Sequence, residues 1–199
     1  MSVRFKHNES NALYYCTFTC CDWLNLFEIT NSYDLVYNWF DIARKMGYRI
    51  CAFVIMPNHV HFITATPARE VSLNKLVSNG KRFMAYEIVD RLHKAGRADI
   101  LKKLSDAVTA SDRRKGKLHQ VFEPSFDARI ILDERMLIQK LNYIHHNPVS
   151  RKWSLAEDFL KYPHSSALFY ETGKQGIYPV DDVRDILYGE TSVVKKSES

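Results

Sequence analysis

Residues 50–66 read ICAFVIMPNHVHFITAT. The apolar run up to Met56 is rich in β-branched and aromatic side chains, and so is the run after it. Between them sits Pro57-Asn58, a pair that favours a tight turn. The stretch therefore predicts two antiparallel strands, Tyr48 to Met56 and His59 to Thr66, joined as a hairpin. On a strand, residues two apart point the same way. His59 and His61 then share one face, and Val60 and Phe62 the other.

Working outward, LYYCTFTCC at 13–21 reads as another strand. Trp23 to Ile29 reads as a loop. Asn31 or Ser32 can cap a helix to about Met46, with Leu35, Val36, Trp39, Phe40 and Ala43 on one side, and Gly47 ends it. Ser72 or Asn74 opens a long helix to about Lys94. Its apolar positions are Leu73, Leu76, Val77, Phe83, Met84, Ile88 and Leu92. Ala95 to Leu118 is polar and charged and predicts a flexible loop with one short helix at most. Phe126 to Leu132 reads as a fourth strand. Asp133 caps a helix from Glu134 to about His146, with Leu137, Leu141 and Ile144 inward. Pro148 stops it and is expected to push Asn147 out of helical dihedrals. One or two short helices follow, then a frayed tail, Val193 to Ser199.

The order β-α-β-β-α-β-α predicts an α+β fold. A ferredoxin-like antiparallel sheet of about four strands would carry helices on one face, with a short helical C-terminal extension. Two segments are expected, 12–150 and 151–199. With 199 residues and 46% hydrophobic content, the core needs no disulfide or structural metal. Cys16, Cys20, Cys21 and Cys51 form no CxxC pair and read as small core residues of a reducing, cytoplasmic protein. The first residues do not read as a signal peptide, and no run approaches membrane-spanning length.

Net charge is +5, but it is unevenly spread. Residues 71–120 hold twelve Lys/Arg against five Asp/Glu, so the rest of the chain is slightly acidic. A basic segment on a near-neutral body fits a polyanion, most often nucleic acid; it also fits a solvated helix and loop. Lys75, Lys81, Arg82, Arg113, Arg114 and Lys115 are the candidate phosphate contacts, and together they predict salt-sensitive binding. Tyr14, Phe18 and Phe62 are strand aromatics suited either to base stacking or to core packing.

Two imidazoles about 7 Å apart along a strand can converge on one divalent ion. Two ligands are too few for structural zinc but suit a catalytic ion with open positions. The same pair also fits two histidines on the wet face of a sheet. A second histidine-rich stretch, LNYIHHNPV, spans 141–149. Tyr143 and Asn147 are four apart, so they share a helix face. A tyrosine is a competent covalent nucleophile when a cation stabilises the charge that develops on phosphate. Taken alone, this stretch equally fits a core tyrosine followed by a helix stop. His145 and His146 diverge by about 100° around the helix.

MPNHVHF followed about eighty residues later by YIHHNPV resembles the single-tyrosine HUH transposases, and within them the REP-associated tyrosine transposases. The similarity runs from about Ala12 to Ser166. It includes the apolar strand before MPNHVH, the basic helix with Lys81-Arg82-Phe83, the strand before the tyrosine helix and the Asn-Pro-Val after it. The resemblance implies a metal-dependent endonuclease and strand transferase acting on single-stranded or hairpin DNA, as a monomer or homodimer. DNA would lie across the sheet and near the basic helix. His59, His61 and Asn147 would hold Mg2+ or Mn2+, and Tyr143 would form a 5′-phosphotyrosine link. His164-Ser165-Ser166 stands where the family often has Trp-Ser-Ser, a segment that either recognises DNA or packs the C-terminal region. Two other readings remain: a related DNA-binding protein without turnover, and an HUH replication initiator or relaxase. Initiators often carry Tyr-x-x-Lys and relaxases a third histidine, whereas here His146 and Asn147 follow Tyr143 at three and four residues.

Overall fold

The structure, a computed structural model, describes residues 9–68 and 72–188. The expected tail, Val193 to Ser199, lies outside them. In chain order the elements are β1 (Leu13–Thr19), α1 (Leu26–Ile29), α2 (Tyr33–Lys45), β2 (Arg49–Ile55), β3 (His59–Ala65) and α3 (Leu73–Lys94). Then come α4 (Ala98–Asp106), α5 (Ala110–Arg114), β4 (Asp127–Ile130), α6 (Glu134–His146), α7 (Ala167–Thr172) and α8 (Val183–Tyr188). Short 3-10 turns cover Cys21–Trp23, Asn147–Val149 and Phe159–Lys161.

The four strands form one sheet in the order β2-β3-β1-β4, each pair antiparallel. This is the expected α+β, ferredoxin-like arrangement. β2 carries a bulge between Ile50 and Ala52. It turns Cys51 and Ala52 to the same side of the sheet, so the strand's alternation shifts there.

One face of the sheet packs under α2 and α3. Tyr14, Cys16, Phe18, Val60 and Phe62 meet Val36, Trp39 and Phe40 of α2 and Leu76, Val77 and Ile88 of α3. The three strand aromatics are therefore core residues. α2 and α3 come close because Gly80 lacks a side chain; a Cβ there would stand 2.3 Å from the Trp39 indole nitrogen. Phe83 departs from the expected apolar stripe: it is exposed, with the Arg82 guanidinium over its ring.

The layering is fuller than expected, because helices cover both faces. On the second face Leu13, Tyr15, Val54 and Ile63 pack with Leu137 and Ile144 of α6, and with Tyr162 and Val183 of the C-terminal segment. That segment also seals the edge of the sheet. Ile55 N donates to His164 O, Ser166 N to Phe53 O, and Asp181 N to Ile50 O. The hydroxyls of Tyr162 and Tyr170 donate to the carbonyls of Ile55 and Cys51. An exposed edge strand invites pairing with other chains, and this one is covered. His164-Ser165-Ser166 is therefore an edge clamp, the packing role that the sequence offered for that segment.

Residues 95–118 are not a flexible loop. They form α4 and α5, and Ile100 and Leu104 are buried in the main core. Thr109 caps α5 by accepting from Asp112 N. All four cysteines are free and buried, as read from the sequence. Among the described residues, no helix is long and apolar enough to cross a membrane.

Candidate active site

β3 enters from the Pro57-Asn58 turn, and its odd-numbered positions face α6. His59 and His61 therefore lie on the same side, with ring centroids 4.7 Å apart. Both are nearly fully buried. α6 starts at Asp133, whose carboxylate accepts from Met136 N. Three turns on, it lays Tyr143 edge-on to His61, ring centroids 5.1 Å apart, while leaving the tyrosine about half exposed.

Each histidine has its Nδ1 engaged. Asn58 donates through Nδ2 to Trp23 O and Asn25 Oδ1, so its Oδ1 is left to accept. His59 Nδ1 lies 2.7 Å from that oxygen and donates to it, which places the lone pair on Nε2. His61 Nδ1 lies 2.9 Å from Tyr15 Oη. In the tautomer that donates to Tyr15, His61 Nε2 also presents a lone pair. That Nε2 is buried with no partner, and so is Asn147 Oδ1. Unsatisfied buried polar atoms cost about 1–3 kcal/mol each, so each of the two calls for an explanation.

Burial holds both imidazoles neutral. His59 is lowered to about 4, by desolvation first and then by the nearby Lys152 charge. His61 is lowered well below its usual range by desolvation, then by His59 and Lys140. Neutral imidazoles are the form that binds a metal.

Asn147 does not leave the helical region as expected. Its φ of −55° and ψ of −45° continue α6 into the 3-10 turn at Asn147–Val149. Pro148 sits at the start of that turn, where its missing N–H costs nothing. Asn147 thus keeps to the Tyr143 side, one turn further along. His145 and His146 diverge as expected and take separate tasks. His145 bonds Ser166 Oγ at 3.1 Å, and His146 stacks on Phe159.

The predicted basic contacts are dispersed. Lys75 and Arg82 are exposed on α3, but α3 covers the face of the sheet opposite the histidines. Lys81 is buried and donates to the carbonyls of Glu123 and Ser125, so it ties α3 to the loop before β4. Arg113, Arg114 and Lys115 are exposed on and just after α5. There Arg113 donates to Ser105 O, and Lys115 lies 3.8 Å from Asp112. The cations whose charge reaches the histidines are instead Lys140 and Lys152. Lys140 also lies over the Tyr15 ring.

Lys140 carries a signal in the sequence, since it sits three residues before Tyr143 on one helix face. Tyr15 carries a weaker one, the alternation of β1. The bonds of Asn58 join parts of the chain that no local spacing connects. A separate grouping, Cys21, Asp22 and Glu123, brings three ligand atoms within 4.8 Å of one another. Burial pushes the Cys21 thiol up to about 11, so it is not a ready thiolate.

No protein-family model matches the chain. An uncharacterized protein of Haemophilus influenzae is 26% identical over 165 residues, which is 74% of this chain and 87% of that protein. A four-stranded α+β domain whose histidine strand faces a tyrosine helix is the class that fold and site define. Among solved structures the fold is similar to that of a REP-associated tyrosine transposase bound to a REP hairpin. The two superpose with a TM-score of 0.61 over 92% of this chain and 93% of that one, at 18% identity. The resemblance carried by MPNHVHF and YIHHNPV is thus matched by the fold.

Proposed function

We propose that the chain is a single-tyrosine transposase, a metal-dependent endonuclease and strand transferase for single-stranded or hairpin DNA. One observation carries this reading. His59 and His61 stand side by side, each with Nδ1 held, and His61 lies against Tyr143, while His61 Nε2 and Asn147 Oδ1 are buried without partners. The fold of a transposase seen on hairpin DNA supports it.

Two neutral imidazoles and one amide oxygen can hold a divalent cation with positions left for phosphate, and the family resemblance makes Mg2+ or Mn2+ the proposed ion. When bound, the cation would polarise the phosphoryl oxygens and stabilise the charge that develops on them. Tyr143 Oη, exposed at the helix surface, attacks phosphorus. The tyrosine O–P bond forms, the bond from phosphorus to the 3′-oxygen breaks, and the leaving oxygen takes up a proton to become a 3′-OH. The tyrosine proton passes to solvent. Asn58 and Tyr15 keep the imidazoles oriented. Attack by another 3′-OH reverses the step and joins new ends.

The test is a denaturing gel of labelled hairpin oligonucleotides drawn from DNA flanking the gene. It is run with Mn2+ or Mg2+, with EDTA, and with Tyr143→Phe. A protein-linked band that needs metal and is absent in Tyr143→Phe is the expected result. DNA retarded on a native gel with no linked band on any substrate would overturn it in favour of a binding protein without turnover.

A further inference from the structure

The chain has three tryptophans. Trp39 is in the core, where a tryptophan belongs on packing grounds. Trp23 is 53% exposed, and Trp153 is half-buried. These two come together beside His59. Their ring centroids stand 5.7 Å and 5.4 Å from its imidazole. Lys152 Nζ lies 4.5 Å from the Trp23 ring centroid and 5.2 Å from that of Trp153.

The backbone that presents them is unusual. Asp22 and Trp23 both have left-handed dihedrals, φ +50° and +56°, and Ser154, directly after Trp153, has φ +46°. Such conformations are rare for large side chains and persist where the surroundings enforce them. Here Asn58, which also holds His59, grips the Trp23 carbonyl at 2.7 Å. The residue that orients a candidate metal ligand thus also fixes an exposed indole next to it.

We infer that Trp23 and Trp153 form a stacking clamp for one unpaired base adjoining the phosphate held at the histidine pair, with Lys152 as its displaceable occupant. The inference rests on the proposed function and adds to it a site for the base. An ammonium over an exposed ring stabilises by about 2- to 5-fold. A base stacked on an aromatic side chain contributes about 5- to 150-fold. The base therefore wins the ring faces, and the flexible lysine stem lets the ammonium move to a neighbouring phosphate. Stacking is tolerant of sequence, so the clamp holds the strand without reading it.

The test measures binding without cleavage. Fluorescein-labelled hairpin oligonucleotides with single-stranded extensions, from DNA flanking the gene, are titrated in EDTA and followed by anisotropy. A single abasic site is walked along the extension. One position is expected to cost wild type about 10-fold, to cost Trp23→Ala less, and to cost Trp23→Ala/Trp153→Ala nothing further, because both stacking partners are gone. Trp23→Phe is expected to recover part of the coupling. Lys152→Ala is expected to lower the slope of log K against log salt by about 0.7. A 2-aminopurine at the sensitive position should be quenched in wild type, a readout that needs no variant to fold. If wild type binds and forms the tyrosine-linked band, yet no position couples to Trp23 and no 2-aminopurine is quenched, the clamp is wrong and the transferase stands. If wild type neither binds nor becomes linked, both fall.

Discussion

Tyr15 and Asn58 matter because a buried imidazole has two nitrogens and a metal ligand needs one of them free. Asn58 Oδ1 accepts from His59 Nδ1 and so leaves the lone pair on Nε2, and Tyr15 does the same for His61 in the tautomer that donates to its hydroxyl. Partners of this kind commonly change metal affinity by 10- to 100-fold, at about the level of a ligand's own neighbours. Tyr15→Phe keeps the ring that stacks on His61 and removes only the hydroxyl. It should weaken Mn2+ binding by about 10-fold or more, and cost about 1–3 kcal/mol of stability for the abandoned Nδ1. Calorimetric titration with Mn2+ and urea unfolding read the two effects separately. Unchanged Mn2+ affinity in a folded Tyr15→Phe would mean that His61 binds no ion. The histidine pair itself was legible, since strand alternation alone puts both rings on one side. Their partners were not, because Asn58 and Tyr15 act through contacts that local spacing does not encode.

The elements divide into those written in local pattern and those that depend on distant pairing. α2, α3 and α6 lie where their apolar stripes place them, with Ser72 and Asp133 capping α3 and α6 while Ser32 starts α2 without a side-chain bond, and the β2-β3 hairpin follows its turn. α4 escaped because its buried residues are few and stand among charges; Ile100 and Leu104 alone are fully buried in it. The clamp at His164–Ser166 escaped because it is extended chain paired to β2, with no periodicity of its own. That clamp gives the fold a pH dependence. His145, bonded to Ser166, is lowered to about 4, chiefly by burial and then by His146. Burial also lowers His164, which bonds the Tyr37 hydroxyl. The unfolded chain, with histidines near 6.5, binds the extra protons first. Stability is therefore complete above about pH 6.5 and falls as acid approaches the folded values, by about 1.4 kcal/mol per unit for each histidine. In His145→Gln, urea unfolding between pH 6.5 and 5 should show a slope shallower by about that amount. An identical slope would mean that His145 titrates alike in both states.

At the scale of the molecule, the basic residues counted in the sequence and those that reach the site are different sets. The excess between 71 and 120 is real, but Lys81 is spent inside the fold, and Lys75 and Arg82 lie on the far side of the sheet. A helix about 10 Å across, and then the sheet, separates them from the histidines. Charge is screened over about 8 Å at physiological salt. On the proposed function, a strand whose phosphate sits at His59 and His61 would meet Lys140 and Lys152, one on α6 and one just past it. Counting along the chain weighs charge density, while binding depends on which face the chain folds toward. Two phosphate contacts on a single strand set a salt slope of about 1.4. Lys140→Ala/Lys152→Ala should therefore lower the slope of log K against log salt by about that much and weaken binding at low salt. Lys75→Ala/Arg82→Ala should leave the slope within error. The reverse pattern in anisotropy titrations across 50–300 mM salt would lay the DNA along α3, away from Tyr143. Cleavage would then need a strand that passes around the edge formed by β4, because the β2 edge is closed by the C-terminal segment.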